Sequence, residues 1–520
     1  MNHFIKIKKF ILDNTIYRKY QIKYFNHLHK VFKKDNSQNK KNSILLELYP
    51  SWISIISFTY LTFVLSRKYN AKTILYLPIR PSKFKIFYYK FLKKFNFSYL
   101  KIESFYSNEK LLIPDLDKAS RCKSYFAKIK KIKNKSDILK IKFEGILIGD
   151  LIYDGYLKKH ETYTIEINSK RFREYFFYFC KLFAFWFEYI KKNNVKSVII
   201  SHPVYENAIP LRISYNCGNK DSFSSGIHFT YRHSKKYPYI EYDVKNNFNK
   251  LSIFKKKKAL ILSAKNLNRK FKGLKTMDTL LGERMPITQK IKKGKNYLLN
   301  NNILIAIHSF SDAPHVFGNT VFADNYEWLR FLAKESKKNN KYNWLLKVHP
   351  IFYDKEISIV NNILKEYPHI KILPKFATHQ ELIKKGIRFV LTVYGSVAYE
   401  YAYFGIPSIL ATKNHPYKKY NFVKDARTIN EYKKLLANLE NLKFTFSKKE
   451  ILEYYFIRFV RVNKLFKNYY KIVQILGSDY TSPLIYKFWL KEYNEKKNNK
   501  IIQKLNSYVN SKDYSFEYYN

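Results

Sequence analysis

The residues best placed to do chemistry lie at the ends of two apolar runs. Leu345-Leu346 leads into Lys347-Val348-His349-Pro350, and Phe389-Val390-Leu391 leads into Thr392-Val393-Tyr394-Gly395-Ser396, which opens a helical pattern carrying Glu400. Side chains alternate along a strand, so Lys347 and His349 point the same way, and Pro350 marks the strand's end. A lysine and an imidazole beside a helix start suit a phosphate-bearing ligand. Gly395 is expected to let backbone approach that ligand, Ser396 to cap the helix, and Glu400, one turn on, to accept hydrogen bonds from ribose or sugar hydroxyls. A third cluster, His308-Ser309-Phe310-Ser311-Asp312-Ala313-Pro314-His315, follows another apolar run. His308 and Asp312 are read as lining the donor side of a crevice. The cluster has no defined ligand geometry, so no metal site is expected. Asp154, His202 and Glu206 are the general-base candidates, with His202 preferred because it ends a clearly patterned strand.

These residues need a scaffold, and the patterning supplies one. Strands at 44–48 and 73–77 enclose a helix at 52–66, and a long amphipathic helix at 170–193 feeds a strand at 197–200 and a helix at 208–217. A second series begins at 303–308. It continues through strands at 344–348, 370–373, 389–392 and 408–411, with helices at 326–338, 355–366, 380–385 and 397–404 between them. Such alternation predicts parallel, doubly wound sheets, in which ligands bind beyond the carboxyl ends of the strands. The expected division is a basic helical leader at 1–40, an N-terminal α/β domain at 41–245, a C-terminal α/β domain at 246–430, and a helical C-terminal region with a charged, ragged tail at 431–520. The Pro78-Ile79-Arg80-Pro81 turn is expected to lead into a helix, and the lysine-heavy stretch 106–142 reads as a surface insertion.

Composition narrows the function classes. With 520 residues, 46% hydrophobic and 18% aromatic, the chain has material for two or three cores, which excludes wholesale disorder. The formal charge of +57 is spread along the whole length rather than gathered into an arginine-rich or aromatic-interleaved motif, so nucleic acid is not the expected partner. Anionic lipid headgroups or a polyanionic glycan fit the charge better. Cys122, Cys180 and Cys217 are far apart, which suits a reducing cytoplasm and gives neither a metal signature nor a disulfide framework. Residues 1–35 lack the uninterrupted apolar run of a signal peptide. The apolar segment 44–65 is broken at Pro50-Ser51 and reads as strand, turn and helix rather than a membrane span.

Lys347-Val348-His349-Pro350, the Thr392-to-Glu400 segment with Gly405-Ile406-Pro407, and Gly149-Asp150-Leu151-Ile152-Tyr153-Asp154 together resemble the capsule polysaccharide biosynthesis and surface-glycan transferases. That group is related to Kdo transferases and, more loosely, to bacterial polysialyltransferases. The resemblance spans about residues 140–425 and departs from the family at Val393-Tyr394-Gly395, where a second Ser/Thr-rich turn is common. It implies a glycosyltransferase-B architecture, with two Rossmann-like domains facing a cleft, the acceptor held by the N-terminal one at 41–245 and the nucleotide-sugar mainly by the C-terminal one at 246–430. Lys347, His349, Gly395, Ser396 and Glu400 would then contact the donor. The implied function is metal-independent transfer of sugar from a nucleotide-activated donor, with CMP-linked sugars among the options, to a growing polysaccharide or glycolipid acceptor. No cofactor is expected beyond that donor, and the expected location is the inner face of the cell membrane, held peripherally. The alternatives are a CDP-polyol phosphotransferase of teichoic-acid type, a nucleotide-sugar epimerase, a basic nucleic-acid-binding protein and an inactive scaffold.

Overall fold

The computed structural model describes residues 15–16, 18–31, 40–49, 52–79, 111–118, 121–218, 221–226, 229–272, 274, 276, 301–318, 320–349, 354–374, 377, 379–445, 447–461, 484–492 and 495–518. The helix expected after Pro81, and the strand-ending Pro350, lie outside them.

Fourteen strands are described: β1 (Asn42–Glu47), β2 (Ala71–Tyr76), β3 (Lys142–Phe143), β4 (Ile146–Leu147), β5 (Val195–Ile200), β6 (Asp221–Ser225), β7 (Phe229–Arg232), β8 (Asn302–Ala306), β9 (Asn343–Lys347), β10 (Lys371–Ile372), β11 (Ile387–Thr392), β12 (Ser408–Leu410), β13 (Val423–Asp425) and β14 (Ser515–Glu517). All but β3 and β4, which form a small hairpin, make two six-stranded sheets ordered β2-β1-β5-β6-β7-β14 and β10-β9-β8-β11-β12-β13. The second sheet is parallel throughout, and in the first only β7 breaks the parallel run, pairing antiparallel with both β6 and β14. The fold is therefore α/β with two Rossmann-like units. In each sheet the strand order reverses at one point, between β1 and β5 in the first and between β8 and β11 in the second. Those are the topological switch points where such sheets hold ligands.

The central strands are near-continuous apolar runs, as sheets covered on both faces require. Helix Lys170–Lys192, capped by Ser169 accepting from the Phe172 amide, turns Phe172, Phe176, Phe179, Phe183, Phe187 and Ile190 inward at three- and four-residue spacing. The Trp186 indole on the same helix donates to the Pro78 carbonyl at 2.9 Å. The apolar segment at 44–65 becomes β1 and helix Trp52–Lys68, whose Ile44, Leu46, Ile56, Phe58 and Leu61 share a second core of the first unit. Among the described residues no helix is long and apolar enough to cross a membrane.

Two expectations need correcting. The lysine-heavy stretch to residue 142 is not a surface insertion: Leu116, Cys122, Tyr125, Ile138, Leu139 and Ile141 are buried in the first unit's core, and their lysine neighbours carry the solvated side. The C-terminal region is not one helical appendage with a ragged tail. Its first part, through Tyr432, Leu436, Ile451 and Tyr455, packs on the second unit. Residues 484–492 and 495–518 return to the first unit, where Trp489, Leu505, Val509 and Phe516 share a core with Ile44, Leu46 and Leu61.

The returning strand is tied in by polar contacts as well. The buried Tyr518 hydroxyl lies 2.7 Å from Thr230 Oγ1 and 3.1 Å from Ser225 Oγ, and reaches the Ser57 carbonyl at 3.2 Å. Tyr518→Phe leaves those groups short of a partner, so it is expected to cost about 1–3 kcal/mol in urea unfolding. An unchanged midpoint would show that these hydroxyl contacts add nothing to the first unit's stability.

Candidate functional site

A cleft of about 920 Å³ lies between the two units. One wall comes from the carboxyl ends of the first sheet: Tyr49 after β1, Ser201 to Tyr205 after β5, and Ser224 and Ser225 at the end of β6. The other comes from the second sheet: His308, Ser309, Ser311, Asp312 and Ala313 after β8, His349 after β9, and Tyr394 after β11. Both switch points thus open into one space.

On the first wall β1 and β5 place Glu47 beside Ser201. Buried Glu47 accepts from the Ser201 amide at 2.5 Å and from its hydroxyl at 2.7 Å, and the Ser201 hydroxyl oxygen lies 3.1 Å from His202 Nδ1. With the serine proton directed at Glu47, its oxygen lone pair faces Nδ1, which must then carry the proton. That leaves His202 Nε2 as an acceptor. The His202 ring is open to the cleft and meets Tyr49 edge-on at 5.5 Å. Surrounding protein holds the His202 pKa below its ordinary value despite the nearby Asp312 carboxylate, so at neutral pH the ring is unprotonated and fit to take a proton. Burial raises Glu47 to about 7, two hydrogen bonds from Ser201 opposing the shift.

On the second wall His308 lies against Tyr394, with ring centroids 4.5 Å apart, and its Nε2 is 3.2 Å from Thr392 Oγ1. Burial brings the His308 pKa down to about 3, helped by neighbouring His349, which is itself lowered by burial. Both rings are therefore neutral hydrogen-bonding groups until an anion arrives. Asp312 bridges the walls, accepting from the Tyr205 hydroxyl at 2.8 Å, with Lys158 Nζ at 3.5 Å. Tyr205 and Ala313, both in the cleft lining, have φ of 55° and 40°, a left-handed conformation that costs a non-glycine residue free energy and is concentrated at functional sites.

Of the expected site residues, the cleft gathers His202, His308, Asp312 and His349. The others are placed differently. Asp154 is not open to a substrate: it is buried and accepts from His315 Nδ1 at 2.6 Å and the His315 amide at 3.2 Å, so it joins the two units. The carboxylate holds the buried His315 imidazole above its ordinary pKa against the cost of burial. Glu206, the third base candidate, takes the Tyr175 hydroxyl at 2.8 Å and is raised by burial. Lys347 is buried at the end of β9 outside the cleft lining. Burial lowers its pKa to about 8, against the pull of Glu400.

The Thr392-to-Glu400 segment also departs from expectation. Ser396 is exposed and does not cap, because its backbone is already helical, with φ −58° and ψ −25°. Gly395 makes room for protein rather than ligand: a Cβ there would meet Thr392 Oγ1 at 2.8 Å and the His308 ring at 3.2 Å. Glu400 is no ribose acceptor, since its two oxygens are taken by Lys270 Nζ at 2.6 Å and His379 Nε2 at 2.9 Å.

The Gly149-to-Asp154 stretch is an assembly surface. A Cβ on Gly149 would meet the Ile138 carbonyl at 2.0 Å, so only glycine fits. Asp150 pairs with Arg212 Nη1 at 2.6 and 2.9 Å, and Tyr153 donates to Asp324 of the second unit at 2.5 Å. Sequence reasoning missed Glu47, Tyr205 and Tyr394 as site residues. The signal for Glu47 is an acidic residue ending an otherwise apolar strand.

Among the described residues no group of three or more His, Cys, Asp or Glu side chains is placed to hold a metal ion.

No family model and no curated protein matches the chain. Solved structures similar to it include the beta Kdo 2,4 transferase KpsC of Thermosulfurimonas dismutans, at 10% identity and TM-score 0.32, covering 50% of this chain and 79% of that one. The UDP-GlcNAc 2-epimerase of Methanocaldococcus jannaschii follows at 13% identity and TM-score 0.28, covering 81% and 99%. TarM has 12% identity and TM-score 0.23, covering 91% and 100%. A Kdo transferase, the class that the sequence motifs resemble, is thus among these structures. At such TM-scores the fold assignment stands on the sheet topology and not on the likenesses.

Proposed function

We propose that the chain is a glycosyltransferase that moves a sugar from a nucleotide-activated donor, CMP-linked sugars among the candidates, to a growing cell-surface or capsular polysaccharide. The carrying observation is the pairing of the two switch points across one cleft: an acid-tied imidazole on one wall, two neutral imidazoles and a tyrosine on the other.

In this reading His202 Nε2 takes the proton from an acceptor hydroxyl as the oxygen attacks the anomeric carbon. The bond from that carbon to the donor phosphate breaks, and the nucleotide leaves with the electron pair. His308 and His349 donate hydrogen bonds to the departing phosphate, and Lys158 at the cleft mouth adds positive charge. No cofactor besides the donor enters the scheme. The acceptor lies against the first unit, and the protein works at the inner face of the membrane, held peripherally by its excess of lysine.

Thermal shift with CMP, CDP, UDP and GDP tests the donor side. A bound nucleotide at a hundredfold excess over its Kd should stabilise by about 2.7 kcal/mol. His349→Ala is expected to weaken that nucleotide by about 10–100-fold, the worth of a hydrogen bond to a charged group. If no nucleotide shifts the transition, or if His349→Ala binds as the parent does, the donor assignment is wrong.

A further inference from the structure

Among the described residues, three large apolar side chains are more than two-thirds exposed, and all three lie on helix Ile253–Phe271: Ile253 at 76%, Phe254 at 75% and Ile261 at 70%. Single exposed apolar residues are ordinary on a protein surface, but three on one helix face are not. The opposite face is fully used. Ala259, Ser263, Leu267 and Phe271, at four-residue spacing, are buried, and the three apolar ones share a core with Ile451 and Tyr455. Lys270 reaches further in, to Glu400. The helix is thus anchored to the second unit, and its outer face is not folded under by its own packing.

The outer face has a second property. Lys255, Lys257, Lys258 and Lys265 are exposed beside the three apolar residues, and the helix carries no Asp or Glu. Phe254, Lys257, Lys258, Ile261 and Lys265 recur at three- and four-residue steps, so cations flank apolar side chains along one stripe. A second copy of this helix would set lysine against lysine. Nucleic-acid phosphates would engage the lysines and leave Ile253, Phe254 and Ile261 in water. An anionic bilayer matches both parts, with headgroups for the lysines and the acyl boundary for the apolar side chains.

We infer that helix Ile253–Phe271 is the membrane-docking element of this protein, lying in the plane of an anionic bilayer with Ile253, Phe254 and Ile261 inserted. The inference rests on the peripheral adherence proposed above and assigns it a surface.

Sedimentation with vesicles of phosphatidylcholine, with and without phosphatidylglycerol, tests it using the full chain. The parent is expected to pellet with the phosphatidylglycerol vesicles at low salt and to be released by high salt. A variant with Ile253→Ser, Phe254→Ser and Ile261→Ser should bind them about tenfold or more weakly, because apolar area that would enter the boundary is gone. A variant with Lys255, Lys257, Lys258 and Lys265 changed to Gln should lose about a hundredfold at low salt, with a shallower salt dependence. Donor hydrolysis in solution should be unchanged in both. A parent that ignores the vesicles overturns the adherence itself. If the parent binds and both variants bind equally well, the adherence stands and the assignment to this helix falls. The assignment also falls if the serine variant loses self-association or RNA binding while its vesicle binding stays at the parent level.

Discussion

Replacing His202 by Ala is expected to lower sugar transfer by about 10²–10⁴-fold, the usual contribution of a positioned general base, with thermal unfolding unchanged. The side chain is open to the cleft, so its removal leaves no core cavity. Its role depends on Glu47 and Ser201, which fix the tautomer, and this gives the prediction a second arm in pH. When Glu47 is a carboxylate, it draws the Ser201 hydroxyl proton toward itself and keeps Nδ1–H of His202 as the donor. When Glu47 is protonated, the serine hydroxyl is free to donate to Nδ1 instead, which moves the imidazole proton to Nε2 and removes the base. The kcat/KM profile is therefore expected to fall as pH drops through about 7, the Glu47 value. Glu47→Gln should flatten that limb, because an amide oxygen still accepts from Ser201 but no longer titrates. A Glu47→Gln enzyme that keeps the limb would show that another group sets it.

The same substitution carries a stability sign. An unfolded Glu47 loses its proton near 4.5 and the folded one near 7, so between those values the folded state binds the extra proton and stability falls as pH rises. Glu47→Gln removes that slope and should gain on the parent across the window, by at most about 3 kcal/mol. A change that alters the pH dependence of the reaction without harming the fold separates a site carboxylate from a structural one.

The scaffold was legible where apolar runs alternate with amphipathic helices. β1, β5, β8, β9 and β11 follow from Ile44 to Leu46, Val198 to Ile200, Ile303 to Ile305, Trp344 to Leu346 and Phe389 to Leu391, because a strand buried on both faces needs little besides branched apolar residues. β6 was illegible because Asp221-Ser222-Phe223-Ser224-Ser225 has no apolar pattern. Its buried serines are satisfied by other side chains, Ser224 by His233 at 2.8 Å and Ser225 by Thr230 at 2.7 Å. β14 is illegible for another reason: its partner β7 lies more than 280 residues earlier, and no local signal carries that distance. At the site, strand ends gave the position of His202, His308 and His349. What they did not give is which polar residues the protein uses on itself. Asp154 and Glu400 resemble site carboxylates in sequence, and only the distant partners His315, Lys270 and His379 reveal them as ties.

Glu400 is the severest case, and Glu400→Gln is expected to destabilise the second unit by about 3–5 kcal/mol. The carboxylate is buried, and burial alone would raise its pKa. Lys270 and His379 more than offset that, holding it well below the usual carboxylate range. Neutralising Glu400 leaves the half-buried Lys270 ammonium, which also touches the Tyr399 hydroxyl at 3.0 Å, without the charge that draws helix Ile253–Phe271 onto helix Val397–Ala402. A depressed carboxylate contributes stability above its unfolded pKa and loses it as pH falls below about 4.5, so the gap between parent and variant should close in acid. Urea unfolding at neutral and acidic pH reads both effects. Pairing Glu400→Gln with Lys270→Met should recover part of the loss, since the cation that Glu400 balanced goes with it. Nucleotide affinity of the folded variant should match the parent, because Glu400 is not in the cleft lining. The opposite pattern, full stability with weakened nucleotide, would return Glu400 to the ribose-binding role that its sequence position implies.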